Sequence, residues 1–317
     1  MTRDRGRTLW LHVGHGKTGS SYLQSLFALN RDRLAARGIV YPAHRELKAA
    51  AAGETTVGNA SRLRRRLRHP VTAIAAGALH RFGRRDVLLS NETLMNALSR
   101  RKRRRNLMRF AAAGGFERIR VLLFIRDPDE HFLSFWGQMI RREGETRDID
   151  AMIDAYPTPA RVARFLEGAA EEPAVDVTVR NYSRVRATLT EEVAAWLGAP
   201  SDGFLAPPAA VVNRSLSFEE LAVQRALNQR FGPCGERYGD PVAARPPRKP
   251  ATRPRLTEAQ RAAIRAAIAR PMRRVNALAP PEHRYRMIME TTTARYDMSV
   301  GAFSDAQRED FESASGI

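Results

Sequence analysis

"TLWLHVGHGKTGSSYLQ" fills Thr8–Gln24, and its reading decides the fold. Thr8–Val13 is a short apolar run bounded by glycines, which predicts a buried strand. Gly14, Gly16 and Gly19 then crowd around Lys17. So open a backbone costs conformational entropy and packs little, so it has to be held for another reason. From Ser20 to Arg37 the apolar residues Tyr22, Leu23, Leu26, Phe27 and Leu34 recur at helical spacing, with Gly38 as the stop. "GIVYP" (Gly38–Pro42) predicts a second strand ended by proline. Strand, loop, helix and strand make one βαβ unit.

Working outward, Ala43–Asn59 is small, polar and irregular, and predicts a loop. "SRLRRRLRHP" and the residues up to Phe82 predict surface-lying helix. Asp86–Ser90 predicts a buried strand, followed by helix through the basic run "SRRKRRRNLMRF". The strongest strand signal is "RIRVLLFIRD", Arg118–Asp127. After it Phe132, Phe135, Trp136 and Met139 form the stripe of a core-facing helix. Ala174–Tyr182 predicts one more strand and Arg184–Leu197 one more helix. The rest predicts helices around a proline-rich basic loop, Ala244–Arg255. Alternating strands and helices call for a mainly parallel sheet covered on both faces, a three-layer α/β/α fold with extra C-terminal helices. Neither an internal repeat nor an interdomain linker is visible. The expectation is therefore one domain over 1–317, with an α/β core to about residue 200 and a helical part over 201–317.

A glycine-rich turn between a first strand and its helix aims backbone N–H groups at whatever lies above it. The helix N-terminus adds partial positive charge, so the pair suits a phosphate. Lys17, Thr18, Ser20 and Ser21 add a cation and hydroxyl donors. The triphosphatase pattern G-x-x-x-x-G-K-[ST] is not met, because its first glycine falls at Leu11, inside the strand. The dinucleotide pattern G-x-G-x-x-G with a downstream acid is not met either.

Lys17-Thr18-Gly19-Ser20-Ser21 directly after a strand resembles the sulfotransferase family. Its K-[ST]-G-[ST]-[ST] loop binds the 5′-phosphosulfate end of 3′-phosphoadenosine-5′-phosphosulfate (PAPS). A second family signature is a strand ending in arginine with a serine eight residues on, both gripping the 3′-phosphate. Here "VLLFIRDPDEHFLS" offers Arg126 and Ser134. The match covers about the first 200 residues. It resembles bacterial carbohydrate-type members, whose loop opens H-x-G-x-x-K-T-G, as His12–Gly19 does. The resemblance implies a P-loop-like fold and PAPS bound by Gly16, Lys17, Thr18, Gly19, Ser20, Ser21, Arg126 and Ser134. It also implies an acceptor side in the C-terminal part. The glycine- and lysine-containing closing segment of the soluble eukaryotic branch has no counterpart here.

In sulfuryl transfer an acceptor oxygen loses its proton as it attacks, and the departing phosphate needs stabilising. Lys17 suits the leaving oxygen, and no metal is demanded. For the base, Glu92 lies just past the Asp86–Ser90 strand, at the edge where ligands bind in doubly wound sheets. Similar family members carry a glutamate in this role. Its other reading is helix capping, with Asn91 as N-cap and Glu92 in the first turn. His15 is the competing base, or a donor to sulfate, or an exposed loop residue. His131, within a helix, reads as structural. Tyr182 follows a strand where the family places a residue near the adenine, or it is a packed core tyrosine. Arg126 also reads as a partner of Asp127 or Asp129.

The formal charge of +19 suggests an anionic partner: nucleotide, acidic glycan, nucleic acid or lipid surface. Abundant alanine and arginine also fit simple compositional bias. Only four lysines occur, Lys17, Lys48, Lys102 and Lys249, so a lysine in the glycine loop is notable among so many arginines. The arginine runs Arg100–Arg105 and Arg245–Arg255 are solvated faces or flank an acidic acceptor. One cysteine, Cys234, excludes an internal disulfide and a cysteine-rich metal site. No stretch reaches the roughly 20 apolar residues of a membrane span, and no leader cleavage site follows the basic start, so the cytoplasm is the expected location. The acceptor sequons at Asn91 and Asn213 are then incidental. The expected activity is PAPS-dependent transfer to a hydroxyl of a glycan, glycolipid or small molecule, without nucleic acid. The alternatives are a nucleotide-dependent kinase and a non-catalytic basic polyanion-binding protein.

Overall fold

A computed structural model describes residues 6–80, 83, 85–207, 215–243, 254–287 and 291–292. Most of the basic stretch from Ala244, together with Phe82 and Asn213, lies outside them. The chain divides into two compact units that interleave in sequence. One comprises Met1–Arg126, Pro157–Val212 and Arg270–Tyr285; the other comprises Asp127–Tyr156, Asn213–Ala269 and Arg286–Ile317. This division differs from a cut near residue 200.

The first unit is built on β1 (Thr8–His12), β2 (Ile39–Val40), β3 (Asp86–Ser90), β4 (Arg118–Ile125) and β5 (Val175–Asn181). All pairings are parallel and the order is β2-β3-β1-β4-β5. Leu11 sits opposite Leu89 on one side and Val121 on the other. Side chains alternate between two cores, as strand geometry requires. Leu9, Leu11, Val87, Leu89, Val121 and Leu123 enter one, and Trp10, Leu88, Leu122 and Phe124 enter the other. With both faces buried, the strands read as nearly continuous apolar runs. This is the expected α/β arrangement of helices around a parallel sheet.

Between β1 and β2 the chain forms α1 (Ser20–Leu29) and α2 (Arg31–Ala36), where periodicity predicted one helix to Arg37. The break falls at Asn30. Its buried carboxamide donates to Leu26 O and Leu205 O and accepts from Leu205 N, all within 2.8 Å, which helical propensity could not reveal. Gly38 ends α2 as expected, at φ 81°. The expected loop over 43–59 holds one short helix, α3 (Leu47–Ala51). The arginine-rich region forms α4 (Ser61–Arg66) and α5 (Pro70–Ala78), divided where proline starts a new helix. After β3 come α6 (Leu94–Leu98) and α7 (Arg101–Ala113).

Helix α8 (Pro128–Glu143) and α9 (Ile149–Ile153) belong to the second unit, and α10 (Thr158–Ala170) to the first. Past β5 the expected single helix is two: α11 (Tyr182–Val185) and α12 (Leu189–Leu197). The C-terminal helices are α13 (Phe218–Phe231), α14 (Gly239–Ala243) and α15 (Glu258–Leu278). In the second unit Phe132 and Trp136 of the expected α8 stripe are fully buried, while Phe135 and Met139 are half-buried. Asn228 of α13 donates to Ile140 O at 2.7 Å, and Ser217 and Glu220 cap α13 reciprocally. A parallel pair, β6 (Leu256–Thr257) with β7 (Thr291–Thr292), was not expected from sequence.

What matters for a site is where the helices go. Leu23, Leu26 and Phe27 of α1 enter the core on one face, and Leu94, Met95 and Leu98 of α6 enter the other. Neighbouring strands β1 and β3 thus send their following helices to opposite faces. In open α/β sheets the carboxyl ends of strands that diverge in this way are where ligands bind.

Candidate functional site

Val13–Gly19 joins β1 to α1 at this edge of the sheet. Val13 N extends the sheet by donating to Leu122 O at 3.1 Å. Gly14 is tightly enclosed, since a Cβ there would lie 3.0 Å from Ser20 Oγ and 3.1 Å from His12 Nε2, so one of them would have to give by a few tenths of an ångström. Lys17, exposed at the tip, has φ 68°, and it is the non-glycine residue in that region among the described ones. A left-handed lysine costs on the order of 1–3 kcal/mol, and such strain tends to gather at functional sites. Gly19 follows at φ 80°, where a Cβ would press within 2.9 Å of the Tyr182 ring and 3.2 Å of Leu189. Left-handed residues on either side of Thr18 turn successive N–H groups to one side, a concavity suited to an anion.

The hydroxyls divide the work. Thr18 Oγ1 is buried and donates to His15 O at 2.6 Å, so in this structure its proton braces the loop. Ser20 is also buried, yet its Oγ has no hydrogen-bond partner among the described residues. An orphan of this kind calls for an explanation such as a ligand or a water. Ser21 is half-buried in the first turn of α1. No side chain caps that helix, and its first turn carries no acid. No carboxylate of the helix itself therefore compensates its N-terminal charge.

Two histidines are buried here, His12 at the end of β1 and His15 within the loop. His12 packs between Phe27 and Phe124, with Nδ1 2.8 Å from Ser90 Oγ. His15 is buried, with Nδ1 3.2 Å from Gly16 O. Burial lowers the pKa of each to about 4, and for His15 the Arg126 charge adds to the depression. The reading of His15 as an exposed loop residue is thus corrected by its burial. Sequence reasoning passed over His12 as a functional element. Its signal was the polar residue ending an otherwise apolar strand.

The turn after β3 is fixed against the loop. Asn91 N donates to His12 O and Met95 N to Val13 O, both at 3.1 Å. Asn91 Oδ1 accepts from Thr93 N and Thr93 Oγ1, while its Nδ2 donates to Val57 O at 2.6 Å. Asn59 clasps the same strand end, donating to Leu88 O and accepting from Ser90 N. Asn91 thus closes an Asx turn, and α6 starts only at Leu94. Glu92 therefore precedes the helix, and it makes no hydrogen bond to another described residue; the capping reading is corrected accordingly. Burial raises the Glu92 pKa, and the nearby Lys17 charge opposes that rise. Lys17 and Glu92 are brought within electrostatic reach.

On the other side of β1, Arg126 follows the last residue of β4. Its Nη1 donates to Lys17 O at 3.2 Å, tying β4 to the strained lysine. Its guanidinium carbon stands 5.6 Å from the centroid of Tyr182, a cation–π distance. Tyr182 opens α11 directly after β5, half-buried against the core and against Gly19. The ring thus packs in part, as the core reading expects, and it borders the loop. Ser134 lies in the second unit, half-buried on α8. His131, in the same unit, is buried with Nδ1 2.8 Å from Tyr156 Oη, which fits its structural reading. Asp129 there pairs with Arg261 at 3.1 Å, and Asp127 accepts from Arg286 N at 2.9 Å.

Among the described residues no cluster of histidine, cysteine and carboxylate could hold a metal, and no helix is long and apolar enough to cross a membrane. No family model, no curated protein and no solved structure matches the chain.

Proposed function

We propose that the chain is a PAPS-dependent sulfotransferase with a P-loop-like site, moving a sulfuryl group to a hydroxyl of a glycan, glycolipid or small molecule. The observation that carries the reading is the company Lys17 keeps. A strained, exposed lysine stands in an anion-suited concavity, with a half-buried carboxylate within electrostatic reach and an arginine bonded to its own carbonyl. The residues fit the co-substrate. The uncapped α1 N-terminus, Lys17, the orphan Ser20 hydroxyl and Ser21 suit its 5′-phosphosulfate end. Arg126 suits the 3′-phosphate, and the Tyr182 ring offers a face to the adenine.

Glu92 serves as the base. Free in water, imidazole is the stronger base of the two side chains. Here burial works against that order, lowering His15 to about 4 and raising Glu92 from its ordinary value. Glu92 is also the more accessible. As the acceptor oxygen bonds to sulfur, its proton passes to the Glu92 carboxylate. The sulfur–oxygen bond to the 5′-phosphate breaks, and Lys17 and the loop N–H groups meet the charge left on that oxygen. His15 remains neutral and supports the loop.

The test supplies PAPS with a panel of glycans, glycolipids and phenols, with chelator present, and follows release of adenosine 3′,5′-bisphosphate. Acceptor-dependent release is expected. Silence across the panel, combined with magnesium-dependent phosphorylation of the same acceptors from ATP, would replace this reading with the kinase one.

A further inference from the structure

The outer layer of the first unit carries a second feature, unrelated to the loop. Helix α5 is packed the wrong way round for its composition. It turns Ala73 and Gly77 inward, and at Gly77 the approach is so close that a Cβ would strike the Phe110 carbonyl of α7. Its larger apolar side chains face outward: Val71 is 74% exposed, Ile74 46% and Leu79, just past the helix end, 75%. Ala75 and Ala78 are exposed between them. Positions 71, 74, 75, 78 and 79 share one side of a helix, so these side chains form one continuous apolar stripe. Isolated exposed hydrophobics need no explanation, but a contiguous stripe does.

The surroundings say what covers it. From Thr55 to Arg85 the chain holds eight arginines and no acid; from Thr93 to Phe116 it holds six arginines, one lysine and no acid. These two acid-free segments are neighbours in space. Asn106 of α7 donates to Leu67 O, and Arg103 donates to Arg64 O. Arg65, Arg66, Arg68, Arg101, Lys102, Arg105 and Arg109 are exposed around the α4–α5–α7 layer. The cations crowd one another: Arg103 is lowered in pKa by burial and then by Arg68, Arg100 and Arg64.

We infer that this face docks on an anionic lipid surface, with the α5 stripe entering the headgroup boundary and the surrounding arginines meeting lipid phosphates. Each half of the feature excludes a competitor. A second copy of the chain would bring the same uncompensated cations against these. A nucleic acid or an acidic glycan would satisfy the arginines but leave Val71, Ile74 and Leu79 in water. An apolar stripe within a basic border is the pattern of a helix lying in a membrane interface. The inference does not depend on the chemistry assigned to the loop.

The experiment is sedimentation of the full chain with vesicles of phosphatidylcholine alone and of phosphatidylcholine mixed with phosphatidylglycerol. A basic protein adheres to anionic surfaces by charge alone, so the variants decide. Val71→Gln, Ile74→Gln and Leu79→Gln, combined, keep every charge and use a good helix former. Since the side chains are exposed, the melting temperature should not fall. The combined variant should lose at least about tenfold in partitioning to the anionic vesicles. Its binding to a DNA duplex of matched charge should be unchanged. Arg65→Gln, Arg66→Gln and Arg105→Gln should each cost up to about fivefold. Undiminished vesicle binding by the glutamine triple variant overturns the inference and leaves a site for soluble polyanions. Failure of the wild-type chain to sediment with anionic vesicles at low salt overturns it as well.

Discussion

Lowering the pH from 7 to 5 should unfold this protein far more readily than carboxylate titration alone explains, because two imidazoles are buried at the glycine loop and the strand before it. His12 and His15 are each lowered from 6.5 to about 4, chiefly by burial. The unfolded chain takes up a proton on each near 6.5, whereas the folded chain resists until about 4. Stability is therefore whole above the unfolded value and is lost as the pH falls through this window. Such a difference corresponds to about 3 kcal/mol per histidine at the acid end, and about 2 kcal/mol of it is gone by pH 5. The pair removes about 4 kcal/mol at pH 5, a large share of a typical 5–15 kcal/mol. Urea titrations at closely spaced pH values measure this in the wild type, in His12→Asn, in His15→Asn and in the double variant. Each substitution should flatten the pH dependence by about 2 kcal/mol between pH 7 and 5, whatever it does to stability at pH 7. A double variant whose stability falls as steeply as the wild type's would refute the reasoning, since neither imidazole would then be held neutral by the fold.

Three further outcomes follow from the site. Lys17→Gly removes the strain at φ 68° together with the ammonium; it should melt no lower than wild type, gaining up to about 1 kcal/mol, while turnover collapses. Glu92→Gln should lower the transfer rate by roughly two to four decades with co-substrate affinity kept. Because burial holds the carboxyl above its ordinary range, the folded state disfavours the charged form; the variant should therefore melt higher than wild type at neutral pH, and the gap should close as the pH falls below the ordinary carboxylate range. Arg126→Ala should weaken binding of a 3′-phosphorylated nucleotide by about one to two decades, the worth of a charged hydrogen bond, and leave adenosine 5′-monophosphate almost unaffected.

How much of this was legible in the sequence depended on how local the cause was. The strand Asp86–Ser90 was read directly, and the one expected over Arg118–Asp127 forms as Arg118–Ile125, because a strand buried on both faces leaves an apolar run with little else in it. The glycine loop was legible because glycine marks backbone that other residues adopt only with strain, as at Gly19. The left-handed turn at Lys17 was not, since nothing in a lysine announces it. The break at Asn30 depends on Leu205, 175 residues away, and periodicity carries no such information. Glu92 could be placed at the sheet edge by topology, but whether it capped α6 turned on Asn91 closing its own turn first. The burial of His15 was hidden for the same reason: a loop residue reads as exposed until its neighbours are known. The inverted packing of α5 was also invisible, because an alanine-rich helix gives no sign of which side will be covered.

The most direct test of the central claim is a calorimetric titration of the chain, with chelator present, using adenosine 3′,5′-bisphosphate and then adenosine 5′-monophosphate and ATP. The account predicts saturable one-to-one binding of the bisphosphate without metal, at least about tenfold tighter than the monophosphate, as a charged contact to the 3′-phosphate requires. Equal affinity for the two, or tighter binding of ATP that appears only when magnesium is restored, would contradict it.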